Sequence, residues 1–126
     1  MSKRKIELEF EMNTMPGVLY KRVATPSGLE TWFSEAAASE DGVVFSFLWQ
    51  KEITRAIVLE SSENEYIRFR WEDDDEEDYF EFRIVKNELS RNLTLKVIDF
   101  SEEEEYDDVV RLWTFQIEGL KRILAA

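Results

Sequence analysis

Chemistry in this sequence would have to come from carboxylates, lysine or tyrosine, because the other usual groups are missing. The 126 residues contain neither histidine nor cysteine. Without imidazole there is no Ser-His-Asp triad and no side chain whose unperturbed titration falls near neutral pH. Without a thiol there is no sulfur nucleophile, disulfide or redox switch. The usual zinc ligand sets cannot be assembled either. What remains is 28 acidic side chains against 16 basic ones, a formal charge of −12. The expectation is a non-enzyme with no catalytic residue, no cofactor and no metal.

The acids are concentrated in two blocks, Glu72 to Asp78 (EDDDEED) and Glu102 to Asp108 (EEEEYDD). Outside them 16 basic residues face 15 acidic ones, so the body of the protein is close to neutral. Hard oxygen ligands suit Ca²⁺, but an EF-hand alternates its ligands and needs a Gly for the turn. Here the carboxylates are contiguous and diverge along an extended chain. The first block therefore reads as a solvated hairpin tip, the second as the start of a helix. Phosphates would meet both blocks, which disfavours nucleic acid and anionic membrane surfaces. A basic protein partner remains open.

Three further polar residues stand in apolar surroundings. Gln116 lies on the apolar stripe of the last helix, where it either orients a ligand or is satisfied by backbone or water. Arg55 interrupts an apolar strand, to meet a ligand carboxylate or to sit on a wet face. Asp99 orders the turn before the last helix.

These residues need elements to position them, and the periodicity supplies them. Ile6, Leu8, Phe10 and Met12 alternate with Lys5, Glu7, Glu9 and Glu11, as in a half-buried strand. Thr14 before Met15-Pro16 predicts a short helix through Ala24, with Thr14 as its cap, and Thr25-Pro26 predicts a second one. That second helix would carry Leu29, Trp32 and Phe33 on one face. From Ala36 to Phe100 the pattern is β. Val43, Phe45, Phe47 and Trp49 share a face, as do Ile67, Phe69 and Trp71. Phe80, Phe82 and Ile84 alternate with Glu81 and Arg83, and Leu93, Leu95 and Val97 alternate with Thr94 and Lys96. In Ile53 to Leu59 two candidate faces compete, Ile57 with Leu59 and Ala56 with Val58. Short strands joined by short turns predict an antiparallel meander.

The last segment reads as one long helix from Glu102 to Leu124, about 35 Å long. Ser101 and Glu104 match a capping box. Acids fill its first turns, and Lys121 and Arg122 lie near its end, matching the helix dipole. Val109, Leu112, Trp113, Gln116, Leu120, Ile123 and Leu124 trace its apolar stripe. The fold class is α+β in one domain over residues 1–126: a curved antiparallel sheet of six to seven strands wrapped around the C-terminal helix, with two short helices after the first strand.

Such a sheet and helix enclose a space lined by Trp32, Phe33, Phe45, Phe47, Trp49, Phe69, Trp71, Phe80, Phe82, Leu95, Trp113, Gln116 and Leu120. Apolar ligands are held in pockets of this composition. A filled core has the same composition, since aromatic side chains bury large areas. Both readings stand on the residues alone.

The run Thr25-Pro26-Ser27-Gly28-Leu29-Glu30-Thr31-Trp32-Phe33 resembles the T-P-x-x-L-x-x-W-F signature of the START-like superfamily, also called SRPBCC or helix-grip. Within it the sequence is most similar to the branch of the activator of the ninety-kilodalton heat-shock-protein ATPase. Phe69-Arg70-Trp71, Val97-Ile98-Asp99-Phe100 and Trp113 with Gly119-Leu120 extend the resemblance over the whole chain. The resemblance implies a helix-grip fold with a cavity between sheet and C-terminal helix, commonly used for hydrophobic small molecules or lipids. Some members contact a chaperone instead, so fold and function stay separate questions. The expected partners are an apolar small molecule or lipid, or alternatively a protein, in a monomer or homodimer. No apolar stretch reaches membrane-spanning length and no secretory leader is visible, so a cytoplasmic location is expected.

Overall fold

The computed structural model describes residues 3–125. Its elements run β1 (Arg4–Met12), α1 (Pro16–Ala24), α2 (Pro26–Leu29), β2 (Ala36–Ala38), β3 (Val44–Trp49), β4 (Glu52–Ser62), β5 (Tyr66–Trp71), β6 (Phe80–Lys86), β7 (Leu93–Ser101) and α3 (Tyr106–Ala125). The strands form one antiparallel sheet in the order β1-β7-β6-β5-β4-β3-β2. Strands β2 to β7 are a meander, and β1 adds beside β7, with Leu8 opposite Val97 and Phe10 opposite Leu95. The concave face buries Phe45, Phe47, Ala56, Ile67, Phe69, Phe80, Phe82, Leu95 and Val97. Helix α3 covers that face with Trp113, Ile117 and Leu120, while Leu19 and Val23 of α1 seal one end of the same core.

A bulge explains why the pattern in β4 is ambiguous. The register against β5 shifts between Val58 and Glu60. Before it Ala56 and Val58 face inward; after it Ser61 lies opposite the buried Ile67. A single extra residue reverses the alternation, so no period-2 reading fits the whole strand. Ile53 and Leu59 are left exposed.

Several local expectations are corrected by the structure. Val43 precedes β3 and is exposed. The cap position of α1 is Met15, without a side-chain hydrogen bond, and Pro16 alone marks the start. Ser101 ends β7 with a buried hydroxyl that has no partner, so the capping box does not form. A 3₁₀ turn at Glu103–Glu105 intervenes before α3. That shortens the helix to 20 residues, about 30 Å. Leu112 is 57% exposed, and Ile117, which the expected stripe omits, packs against the sheet in place of Leu112.

Glu81 is the largest departure from a simple in-and-out pattern. It points to the convex face yet is only 1% exposed. Its carboxylate accepts from Arg68 Nε at 2.7 Å and from Arg83 Nε at 2.9 Å. The two guanidinium groups lie 4.2 Å above the rings of Tyr79 and Tyr66. Cross-strand pairing places Arg68 opposite Glu81, and both arginines cover the acid while keeping its oxygens hydrogen-bonded.

The β3–β4 hairpin turns on Gln50 and Lys51, both at positive φ (46° and 71°). That is the two-residue turn matching strand twist, normally filled by Asn-Gly. A side chain in this region costs about 1 kcal/mol relative to glycine. Lys51→Gly should therefore raise stability to urea by roughly 0.5–1 kcal/mol, after the added freedom of the unfolded chain is offset. A lower or unchanged midpoint would contradict the strain assigned to this turn.

Candidate functional site

The segment from Thr25 to Phe33 folds onto α1 through contacts that account for its residue types. Thr25 Oγ1 accepts from Gly28 N at 3.0 Å and donates to the Lys21 carbonyl at 2.6 Å, capping α2 and tying it to α1. Gly28 passes so close to α1 that an added Cβ would lie 1.9 Å from the Lys21 carbonyl oxygen. Leu29 is fully buried. Trp32 Nε1 donates to the Arg22 carbonyl at 2.8 Å, satisfying a group at the end of α1. The chain then delivers Phe33 into the space between the sheet and α3.

Phe33 sits at the centre of an aromatic cage. Its ring centroid lies 5.1 Å from Phe47, 5.2 Å from Trp49, 5.5 Å from Trp32 and 5.8 Å from Trp113. Phe80, Phe82 and Trp71 complete the surround at 6.1–6.3 Å. Most of these pairs are edge-on or offset, the arrangement the ring quadrupoles favour. The Phe33 carbonyl accepts from Trp49 Nε1 at 2.9 Å and from Gln116 Nε2 at 3.2 Å. Gln116 is thus satisfied by backbone, and both ring and main chain of Phe33 are fixed.

The structure gathers the thirteen expected lining residues around one core. Phe33, Phe45, Phe47, Phe69, Phe80, Phe82, Leu95, Trp113 and Leu120 are buried, and Trp32, Trp49 and Trp71 pack against them half-buried. Phe33 itself occupies the position beneath Trp113 and Gln116. A groove of about 880 Å³ lies elsewhere, between the start of α1 (Met15 to Val18), the β4–β5 turn (Glu63 to Glu65) and the end of β6 (Arg83 to Lys86). It is open to solvent and includes none of the thirteen.

Asp99 is a site residue whose full role is not visible in the sequence. Its Oδ1 accepts from Phe100 N at 2.8 Å and its Oδ2 from Trp113 Nε1 at 2.9 Å. Asp99 lies within β7, paired with Ile6, and not in a turn, so the expected turn-ordering place is corrected; from the strand it anchors a cage ring. Burial pushes its carboxyl up from 3.8 to about 6, against the two donors that favour the anion. No periodicity links residues 99 and 113; only the packing of β7 under α3 does.

The acidic tip is less solvated than expected. Lys3 Nζ lies 2.8 Å from Asp78 Oδ2 and 3.8 Å from Asp74 Oδ1, and Asp78 is nearly buried. Burial raises the Asp74 carboxyl above the usual range despite Lys3. At the same end of the sheet Arg4 Nη1 meets Glu103 Oε1 at 2.9 Å, and its guanidinium lies 3.7 Å above the Tyr106 ring. Both acidic blocks thus converge where β1 begins. Among the described residues no group of three or more acids is arranged to hold a metal ion. Arg55 is on the exposed face of β4, away from the cage.

Two measurements follow from this geometry. Gly28→Ala should cost roughly 1–3 kcal/mol by forcing α2 off α1, and unchanged stability would remove that contact from the account. Asp99 binds its proton more tightly folded than unfolded, so its contribution is fully present below pH 3.8 and lost as pH rises through about 6. Relative to wild type, Asp99→Asn should therefore become progressively more stable between about pH 4 and 7. A pH-independent offset would show that the carboxyl titrates normally.

The sheet order, the two short helices and the closing helix can now be set beside known proteins. A solution structure from Bacteroides fragilis shares 38% identity, over 98% of this chain and 92% of that one, with a TM-score of 0.70. The Aha1 dimer of Colwellia psychrerythraea has the same fold at 14% identity, covering 96% of each chain with a TM-score of 0.79. CalU16 of Micromonospora echinospora also shares the fold, at 13% identity over 97% of this chain and 76% of that one, with a TM-score of 0.77. Comparison with curated proteins returned no match. The family model described as the START-like superfamily domain matches residues 1–126. With the helix-grip architecture and the Thr25–Phe33 segment in place, the chain belongs to the START-like superfamily.

Proposed function

We propose that this protein is a non-catalytic START-like binding domain. Its ligand is a flat apolar molecule or lipid-like group that enters the grip by taking the place of the Phe33 ring. The observation carrying this reading is where the cage rings come from. Phe47, Trp49, Trp71, Phe80, Phe82 and Trp113 stand on strands or on α3, whereas Phe33 enters from the irregular segment after α2. A ligand ring can replace Phe33 contact for contact, leaving the rigid walls unchanged. The cost is exposure of one Phe side chain, about 2–3 kcal/mol, within reach of what a buried ligand ring returns. Gln116 Nε2 and Trp49 Nε1, freed from the Phe33 carbonyl, are then donors for a ligand carbonyl or hydroxyl.

All four tryptophans of the chain contact Phe33, which makes their fluorescence a direct reporter. Titration with 2-naphthol and with myristate is expected to give a saturable change for at least one of them. Organic extraction of freshly purified protein followed by mass spectrometry is expected to release an apolar compound. No saturable change and no extracted species would overturn this reading.

A second reading, contact with a protein, is favoured by a different observation. Leu112 and Phe115 on α3 are 57% and 72% exposed and turn away from the cage. The Colwellia relative is itself a dimer.

A further inference from the structure

Helix α3 carries a second seam beside the one that covers the sheet. Asp108, Leu112, Phe115, Gly119 and Arg122 recur at spacings of four, three, four and three, so they share one face. Leu112, Phe115, Asp108 and Arg122 are exposed. Leu112 and Phe115, three residues apart, adjoin on the open helix face, and contiguous exposed apolar surface of this kind is what marks a contact site.

Gly119 gives an independent reason to expect a close neighbour there. A glycine inside a helix is about 1 kcal/mol less favourable than alanine. Within this chain a Cβ at Gly119 would meet only the flexible end of Arg122, at 3.7 Å. Intramolecular packing therefore does not require glycine at this position.

The charge order along the seam identifies the neighbour. Asp108, which also pairs with Arg111 one turn on, stands at one end, Arg122 at the other, and the apolar pair lies between them. Around Phe115 this pattern is self-complementary under a two-fold axis, the condition for an isologous contact. We propose that the exposed face of α3 is a self-association surface, which pairs antiparallel with α3 of a second copy of this chain. Phe115 then stacks on its own counterpart, Leu112 packs over Gly119 of the second copy, and Asp108 meets Arg122 of the second copy.

The antiparallel sense follows from the rest of the helix. Glu103, Glu104, Glu105, Asp107 and Asp108 crowd its beginning and Lys121 and Arg122 its end. Antiparallel pairing sets each acidic start beside a basic end and keeps the two acidic starts a helix length apart. Parallel pairing would press acid on acid. The contact also gives a use to the acids beyond those a helix start needs. It is independent of whether the grip takes a ligand, since the cage lies on the opposite flank of α3.

The interface is one helix pair, at the small end for protein contacts, so the dimer is concentration-dependent. Sedimentation equilibrium of the full chain from about 10 µM to about 1 mM should show a monomer–dimer equilibrium. Phe115→Glu should weaken it at least about tenfold, without changing the far-ultraviolet circular dichroism. Gly119→Ala should raise the unfolding midpoint of the monomer yet weaken the dimer. Asp108→Arg and Arg122→Asp should each weaken it, and the double variant should restore it. A monomer throughout that range overturns the proposal, as does a dimer indifferent to Phe115→Glu. Failure of the double variant to recover overturns the antiparallel register.

Discussion

The structure depends on the placement of one ring. Phe33 is touched by seven aromatic side chains from the sheet, α3 and its own segment, and its carbonyl is held by Trp49 and Gln116. Interiors pack as tightly as organic crystals, so a ring at the junction of sheet and helix fixes the distance between them. Truncating a buried Phe typically costs 3–5 kcal/mol against a total stability of about 5–15 kcal/mol. Trp113 of α3 stacks on that ring at 5.8 Å, and Gln116 of the same helix is held by the Phe33 carbonyl.

Phe33 could not hold that position from an unanchored segment. Thr25, Gly28 and Trp32 fasten the segment to α1 by a cap, a close backbone approach and an indole hydrogen bond. On the far side of the cage Asp99 holds Trp113. Thr25, Gly28, Trp32 and Phe33 therefore form a mechanical unit, each with a distinct task. That unit is compatible with a closed core and with a grip that opens at one residue.

Much of this was legible in the sequence, for identifiable reasons. Alternation in β1, β5, β6 and β7 marks the inward residues, because the apolar side chains recur at every second position there, even where Glu81 and Ile98 on the other face are buried too. Pro16 and Pro26 marked both short helices, since proline fits the first helical turn. The failures share a cause: they turn on neighbours that local pattern does not encode. Glu81 is buried because two arginines and two tyrosines from other positions close over it. Ser101 is consumed by pairing with Arg4, so the helix starts later than its capping signal suggests. Ile117 displaces Leu112 from the core because the rotation of α3 is set by Trp113 and Leu120. The aromatic residues of the inward face gather in one core, but composition does not distinguish a ring that lines a space from one that fills it.

The most direct test of the central claim is the contact between Phe33 and Trp113, measured by nuclear Overhauser effects in isotopically labelled protein. The ring pair is offset-stacked with centroids 5.8 Å apart and should give strong cross-peaks in the free protein. On saturation with 2-naphthol or myristate these should disappear and be replaced by contacts from the ligand to Trp113, while cross-peaks within the sheet persist. Retention of the Phe33 cross-peaks with either molecule bound would contradict the account, since the ligand would then sit outside the grip.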